Sequence, residues 1–162
     1  MSATGRGAER RPSDYYPTPA WCVRRLLEEV YLPGGRWLEP SAGDGAIIRA
    51  VNAVRRDVEW WAVELRPECR EPLEKTGAHV SVGVDYLRHS AGRFDVALLN
   101  PPFSEAQAFI ERAKESAEWV VVLESLNFFG SEERNGWWRA DVPEVYVIPN
   151  RRSFTGAGMD SV

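Results

Sequence analysis

Apolar residues follow two alternating patterns along the chain: short β-rich runs, and longer stretches with apolar residues three and four positions apart. The short runs cover residues 36–40, 59–65, 79–85, 94–100, 119–125 and 144–149, and the helical stretches cover residues 21–30, 46–56, 67–76 and 104–117. This alternation predicts an α/β fold with an open, mostly parallel sheet and helices on both faces. The runs at 94–100 and 119–125 are almost wholly apolar, so both strands are expected to be central, and Ser104 is expected to cap the helix between them.

The tryptophans fall into two groups. Trp60, Trp61 and Trp119 lie within strand patterns, where core packing is expected. Trp137 and Trp138 lie in a more polar stretch and are candidates for lining a nucleic-acid groove.

Length and composition favour one domain. The chain has 162 residues, of which 44% are apolar, enough for a single hydrophobic core. Residues 1–13 are small and charged and match neither a secretory signal nor a membrane span, so we interpret them as a flexible arm before one domain at 14–162. Two distant cysteines and two histidines are too few for a disulfide framework or a zinc site, so we expect no metal and a reducing, cytoplasmic compartment.

The charge balance does not favour a strong electrostatic affinity for nucleic acid, because the formal net charge is -4. Basic pairs occur at residues 10–11, 24–25, 55–56 and 151–152. These pairs either collect on one face of the protein or remain scattered, solvated charges.

A glycine turn joins the first predicted strand to the following helix. Its sequence is EPSAGDG, at residues 39–45. Glycines at 43 and 45 allow a tight turn and close approach of a ligand, and the helix that follows offers unpaired amide donors. The turn lacks both the GK(S/T) ending of a phosphate loop and the GxGxxG of dinucleotide enzymes. A plain reversal of the chain is the alternative.

Acidic residues end the second and third predicted strands. Glu64 lies about twenty residues after the glycine turn, where α/β nucleoside sites place an acid against the ribose hydroxyls. Asp85 is placed to accept a hydrogen bond from the amino group of a bound adenine. Each is alternatively a solvated acid after a strand.

The sequence NPPF follows the most apolar strand, at residues 100–103. An exocyclic amine on a base ring is a poor nucleophile, and the Asn100 side-chain oxygen and the Pro101 carbonyl can together accept both of its protons. The prolines fix the backbone, and Phe103 offers a face on which a flipped base can stack. An ordinary Asn-Pro-Pro turn with an aromatic anchor is the alternative.

At these residues the chain resembles the amino-methyltransferases, and nearly all of it resembles the small adenine-specific methyltransferases of bacteriophages and prophages. The resemblance rests on DYYPTP at 14–19, EPSAGDG, NPPF, SLNFFGSEER at 125–134, and the later segments GWW, VYVIP and SFTG. It implies a Rossmann-like class I methyltransferase fold, S-adenosylmethionine as cofactor, and transfer of a methyl group to the 6-amino group of a flipped adenine in DNA. It also implies a bacterial or phage-infected cell.

The resemblance and the strand-end pattern together give a full set of site residues. Those assigned to the cofactor are Tyr16, Pro17, Thr18, Glu39, Pro40, Ser41, Ala42, Gly43, Asp44, Gly45, Glu64, Leu65, Asp85 and Tyr86. Those assigned to catalysis are Asn100, Pro101, Pro102 and Phe103, and those expected to position the base are Arg152, Ser153 and Phe154.

The chain departs from the family pattern at three points. Ser125 stands where an arginine is common, and Arg152 stands where a proline is common. The sequence ends at GMDSV, before the last antiparallel strand that relatives have, so we expect a sheet without that strand and an exposed edge at 145–147.

Other functions remain open from the sequence. The NPPF motif does not separate adenine in DNA from adenine in RNA or from a glutamine amide in protein, because each nitrogen needs the same two acceptors. A catalytically silent cofactor-binding subunit and a nicotinamide-dependent enzyme are the further alternatives.

Overall fold

The computed structural model describes residues 17–89, 92–130 and 132–148. These residues form five strands, β1 Gly35–Glu39, β2 Val58–Glu64, β3 His79–Val82, β4 Phe94–Leu99 and β5 Ala117–Val122. The same described residues form five α-helices, α1 Ala20–Glu29, α2 Ala46–Asn52, α3 Arg70–Glu74, α4 Ala106–Lys114 and α5 Glu132–Ala140. Short 3-10 turns cover Pro67–Cys69, Tyr86–Arg88 and Leu126–Phe128.

The strands form one sheet in the order β3-β2-β1-β4-β5. Every strand pair in the described part of the chain is parallel. At the centre of the sheet, Trp37 of β1 pairs with Trp60 of β2 on one side and with Val96 of β4 on the other. This topology confirms the predicted α/β fold, and its strand order reverses direction between β1 and β4.

The core lies on both faces of the sheet. Trp37 packs with side chains of α1, α2 and α3 on one face, where Ile48 and Leu73 are fully buried. Its neighbour Leu38 points to the opposite face and packs with α4, through Phe109 and Ile110. Successive side chains of a strand point to opposite faces, so two adjacent apolar residues supply both halves of the core. The predicted placement of helices on both faces is confirmed.

Strand β5 is not central in the described sheet, so that prediction is wrong. It pairs with β4 along one side, and Trp119 is 46% exposed instead of lying in the core. An apolar run is expected of a strand covered on both faces, but strand order depends on distant pairing that the run itself does not encode. Trp60 is buried as expected, whereas Trp61 is half-buried and stacks on His79.

The predicted sixth strand does not form within its described part, residues 144–148. Val145 and Val147 are exposed, and the Tyr146 hydroxyl donates a hydrogen bond to Glu144. Alternating apolar residues favour an extended chain, but a strand also needs a partner for its backbone groups. The exposed edge expected at 145–147 is therefore an exposed segment without strand pairing in the described structure.

The helix boundaries differ from the sequence predictions at several points, and two of them concern α2 and α4. Helix α2 ends at Asn52 and not at Arg56, and in the turn that follows Arg55 binds both Asp57 and the Leu32 carbonyl. Helix α4 begins at Ala106 after Glu105, and no side chain caps it, so the predicted Ser104 cap is wrong.

Candidate active site

The carboxyl ends of β1 and β4 lie side by side where the strand order reverses. In open α/β sheets, ligands bind in the crevice at this switch point. The glycine turn follows β1, and the NPPF motif follows β4. The topology therefore brings the two main sequence motifs to the two sides of one crevice.

The glycine turn depends on two residues with positive φ. Gly43 has φ 56° and Gly45 has φ 83°, in the left-handed region that favours glycine. The Ala42 amide donates to the Val63 carbonyl at 3.0 Å, which ties the turn to the end of β2. A Cβ at Gly45 would lie 2.7 Å from the Thr76 methyl carbon, so this glycine also permits close packing. The turn is held in shape before any ligand contacts it.

Glu64 binds the glycine turn directly. Its Oε2 accepts a hydrogen bond from the Gly43 amide at 2.6 Å. Its Oε1 accepts from the backbone amide of Arg66 at 2.9 Å and from the Arg66 guanidinium at 2.8 Å. The residue is only 5% exposed, so this carboxylate is buried and multiply bonded. The contact of Glu64 with ribose hydroxyls stays a prediction. Its hydrogen bond to the glycine turn was not expected from the sequence.

Glu39 and Asp44 place unpaired carboxylate oxygens at the same turn. Within the described residues, Glu39 Oε2 and Asp44 Oδ1 are buried and have no hydrogen-bond partner. Burial holds the pKa of the Glu39 carboxyl well above its ordinary value, against the opposing effect of a hydrogen bond from the Ile48 amide. The other Asp44 oxygen pairs with Arg49 at 3.0 Å. The turn therefore offers acceptors that suit a ligand with hydrogen-bond donors or positive charge, not a phosphate.

Asn100 connects three segments of the crevice. Its backbone carbonyl accepts a hydrogen bond from the Ser41 hydroxyl of the glycine turn at 3.2 Å. Its side-chain nitrogen donates to the Thr18 hydroxyl at 3.0 Å. Thr18 lies just before α1 and is 7% exposed. The N-terminal segment, the glycine turn and the NPPF motif, which the sequence predicted to form one site, do meet.

The rest of the NPPF motif is partly open to solvent. Pro101 is buried, and Pro102 is half-buried. Phe103 is 38% exposed. The tetrapeptide therefore combines a fixed backbone with an aromatic side chain that a planar ligand can reach.

Three further residues assigned to the cofactor follow β2 and β3, and their surroundings differ. Asp85 caps the Tyr86–Arg88 turn by accepting a hydrogen bond from the Leu87 amide at 3.0 Å. The Tyr86 ring is buried in the core against Phe109, not at the open edge of the sheet. Leu65 is 63% exposed. A contact between the Asp85 side chain and a ligand adenine stays a prediction.

Several predicted site residues lie outside the described residues. These are Tyr16, Arg152, Ser153 and Phe154. The arm at 1–13 and the basic pairs at 10–11 and 151–152 also lie outside them.

A half-buried acid that the sequence patterns did not single out, Glu124, lies shortly after β5. Its Oε1 has no partner among the described residues, and its Oε2 accepts a hydrogen bond from the Ser125 amide. Burial raises the pKa of the Glu124 carboxyl to about 7. An acidic residue near the end of the apolar run at 119–125 is the one sequence feature that could have identified it.

Trp137 and Trp138, the candidates for lining a nucleic-acid groove, pack against other aromatic side chains. Both are half-buried on the α4 face of the sheet, and both rings contact the buried Phe128 edge to face. In the described ranges there is also no cluster of three or more His, Cys, Asp or Glu residues that could hold a metal ion. None of the helices in those ranges has the length and apolar character needed to cross a bilayer.

Comparison with known proteins supports the fold. No family model and no curated protein matches the sequence. Among solved structures, the chain is similar to a candidate RNA methyltransferase from Pyrococcus horikoshii, with a TM-score of 0.60, 20% identity, and coverage of 83% of this chain and 77% of that one. It is also similar to a SAM-dependent O-methyltransferase from Thermotoga maritima, with a TM-score of 0.52, 20% identity, and coverage of 75% and 49%.

A Thermoplasma acidophilum protein matches with a TM-score of 0.55 and 17% identity, over 74% of this chain and 63% of that one. The chain thus spans less than two thirds of the length of two of these three proteins. Together these likenesses place the chain in the Rossmann-like fold of the methyltransferases.

Proposed function

We propose that this chain is an S-adenosylmethionine-dependent methyltransferase that acts on the 6-amino group of adenine in DNA. The observation that carries the proposal is the position of Asn100, hydrogen-bonded to Ser41 of the glycine turn at the switch point of the sheet. This position puts an amide that can hold an amine beside a turn that can hold a cationic cofactor.

The residues of the turn fit this cofactor. The unpaired oxygens of Glu39 and Asp44 are acceptors, and S-adenosylmethionine carries an ammonium and a sulfonium. When bound, the cofactor supplies its methyl group to an amine nitrogen, so that an N–C bond forms as the C–S bond breaks, the bonding pair stays on sulfur, and one N–H proton passes to water. The Asp44 carboxylate at the same turn disfavours the phosphates of a dinucleotide, so it opposes the nicotinamide alternative.

The NPPF residues would hold the amine. Accepting its protons at the Asn100 side-chain oxygen and the Pro101 carbonyl favours a tetrahedral nitrogen whose lone pair can attack. Phe103 stands exposed next to these acceptors and offers a face for stacking a planar ring. Stacking supports a base over an amide substrate, because a glutamine side chain has no ring to stack. Reaching the amine in a duplex requires the base to flip out, or a single-stranded site.

The test separates the substrate classes. Purified protein is incubated with S-adenosylmethionine labelled in its methyl group and, separately, with DNA lacking adenine methylation, with RNA and with protein extract. The products are hydrolysed and identified by mass spectrometry. We expect label in DNA as N6-methyladenine. Label found only in RNA or only in glutamine would replace the proposed substrate with that one.

Asn100→Ala provides the variant for the proposed role. We expect methyl transfer to be lost and cofactor binding, measured by calorimetry, to be retained. Asn135→Ala is the matched control, because Asn135 lies exposed on α5. Unchanged transfer in Asn100→Ala would contradict the proposed role. Cofactor binding without transfer to any substrate would instead favour a silent cofactor-binding subunit.

A further inference from the structure

We infer that Thr18 is a positioning residue for Asn100. The inference rests on the proposed function and assigns Thr18 a task different from cofactor binding. Thr18, Glu39 and Glu64 are the buried polar residues of the described structure; Glu39 begins the glycine turn, and Glu64 binds that turn from the end of β2. The Thr18 hydroxyl instead accepts a hydrogen bond from the Asn100 side-chain nitrogen, across 82 positions of sequence.

The surrounding backbone gives Thr18 a fixed place. It lies between Pro17 and Pro19, whose rings restrict the backbone on both sides. Pro19 precedes the first turn of α1, and its carbonyl accepts a hydrogen bond from the Cys22 amide at 2.9 Å. Helix α1 in turn buries Cys22 and Val23 in the core. The hydroxyl is therefore presented from a rigid segment.

The hydrogen bond to Thr18 fixes the orientation of the Asn100 side-chain amide, that is, the positions of its nitrogen and its oxygen. An amide has a donor end and an acceptor end of nearly the same shape, and only the acceptor end can hold an amine proton. Because the nitrogen of Asn100 donates to Thr18, the oxygen occupies the other position. Ser41 holds the Asn100 backbone and Thr18 holds its side chain, so two hydroxyl groups fix both parts of one residue.

Two variants test the positioning role. Thr18→Val keeps the branched shape but removes the acceptor, and Thr18→Ser keeps the hydroxyl. For Thr18→Val we expect kcat to fall roughly 10- to 100-fold, as for a misplaced reactive group, with the Kd for S-adenosylmethionine unchanged. Thr18→Ser should recover most of the kcat. Thr76→Val is the matched control, because its hydroxyl donates to the Leu73 carbonyl at the end of α3.

A spectroscopic readout makes the test independent of activity. The side-chain amide signals of Asn100 in a ¹⁵N–¹H spectrum are identified by their disappearance in Asn100→Asp. We expect them to shift in Thr18→Val and to stay near their wild-type position in Thr18→Ser and Thr76→Val. Unmoved signals in Thr18→Val would overturn the inference whatever the enzyme does.

The kinetic outcomes are equally distinct. A raised Kd for S-adenosylmethionine with unchanged kcat in Thr18→Val would overturn the inference and make Thr18 a cofactor ligand. If the wild-type protein transfers no methyl group to any amine, the proposed function fails and the inference falls with it. That result is visible in the wild-type assay, before a Thr18 variant is measured.

Discussion

Glu39 has a carboxyl group that is almost fully buried and one oxygen without a partner in the described structure. Such an arrangement costs free energy unless the group is neutral or a ligand pairs with it. Because burial holds the pKa of Glu39 well above its ordinary value, the carboxyl favours the protonated form in the ligand-free protein. A cation bound next to it would favour ionisation.

We therefore predict that S-adenosylmethionine binding releases a proton. Calorimetric titrations at one pH in two buffers with different ionisation enthalpies should give different apparent binding enthalpies. In Glu39→Gln the difference should disappear, because glutamine does not titrate. Glu59→Gln is the control, since Glu59 is an exposed acid paired with His79 at the opposite end of β2. Equal enthalpies in both buffers for the wild-type protein would contradict the prediction.

Glu124 predicts a pH dependence of stability. Its folded-state pKa of about 7 lies above the ordinary 4.5, chiefly because of burial, although Arg134 and the Ser125 amide oppose the shift. The stabilisation from the bound proton is fully present below the unfolded pKa and is lost as the pH rises through the folded pKa. In urea unfolding, Glu124→Gln should therefore be more stable than wild type at about pH 8, and this gain should shrink toward about pH 4. A gain that is constant with pH would contradict the assignment.

Among the elements, the turn between β1 and α2 offers a test of glycine packing. Gly45 and Gly77 have similar backbone angles, φ 83° and φ 79°. A Cβ on Gly45 would meet the Thr76 methyl carbon at 2.7 Å, whereas nothing lies within 4 Å of a Cβ on Gly77. Gly77→Ala should therefore cost about 1 kcal/mol from backbone strain alone. Gly45→Ala should cost about 1–3 kcal/mol more because of overpacking.

Urea unfolding of the two variants measures this difference directly. Both substitutions carry the same backbone penalty, so the difference between their free energies of unfolding isolates the contribution of packing. Equal losses in the two variants would show that the turn adjusts to the added methyl group. The turn would then be less rigid than its hydrogen bonds to β2 indicate.

The elements of the crevice could be predicted because their causes are local. An apolar strand, a glycine turn and an amphipathic helix occur in sequence at 35–52, and NPPF directly follows the apolar β4. Parallel strands then bring their carboxyl ends to one edge without further information.

The features that sequence analysis missed depend on distant contacts. The bond from Asn100 to Thr18 and that from Gly43 to Glu64 each join separate segments. The edge position of β5 depends on which strand pairs with β4, and the apolar run of β5 is compatible with either place. The wrong prediction of a strand at 144–148 has the same cause. The alternation of apolar residues describes one segment alone, whereas a strand also needs a neighbouring segment to pair with.

At the scale of the whole molecule, most basic side chains of the described surface are paired with acids. Those in ion pairs are Arg25, Arg49, Arg55, Arg66, Arg70, Lys75, Arg88, Arg112 and Lys114. The chain also has a formal net charge of -4. Contacts between cationic side chains and phosphates release counterions and so favour binding. Because most of the basic side chains on this surface are already paired with acids, it offers few cations for such contacts.

This distribution of charge predicts where nucleic-acid affinity resides. Arg151 and Arg152 are adjacent in the sequence, outside the described residues, whereas Arg25 and Arg70 are paired with acids on α1 and α3. If Arg151 and Arg152 contact phosphates, replacing both with glutamine should reduce the slope of log Kd against log salt by roughly two.

The control is the double variant Arg25→Gln with Arg70→Gln, which removes the same charge and should leave the slope nearly unchanged. Fluorescence anisotropy of a labelled DNA at several salt concentrations gives both slopes. An equal reduction in the two double variants would mean that only net charge matters, and that Arg25 and Arg70 contribute as much as Arg151 and Arg152.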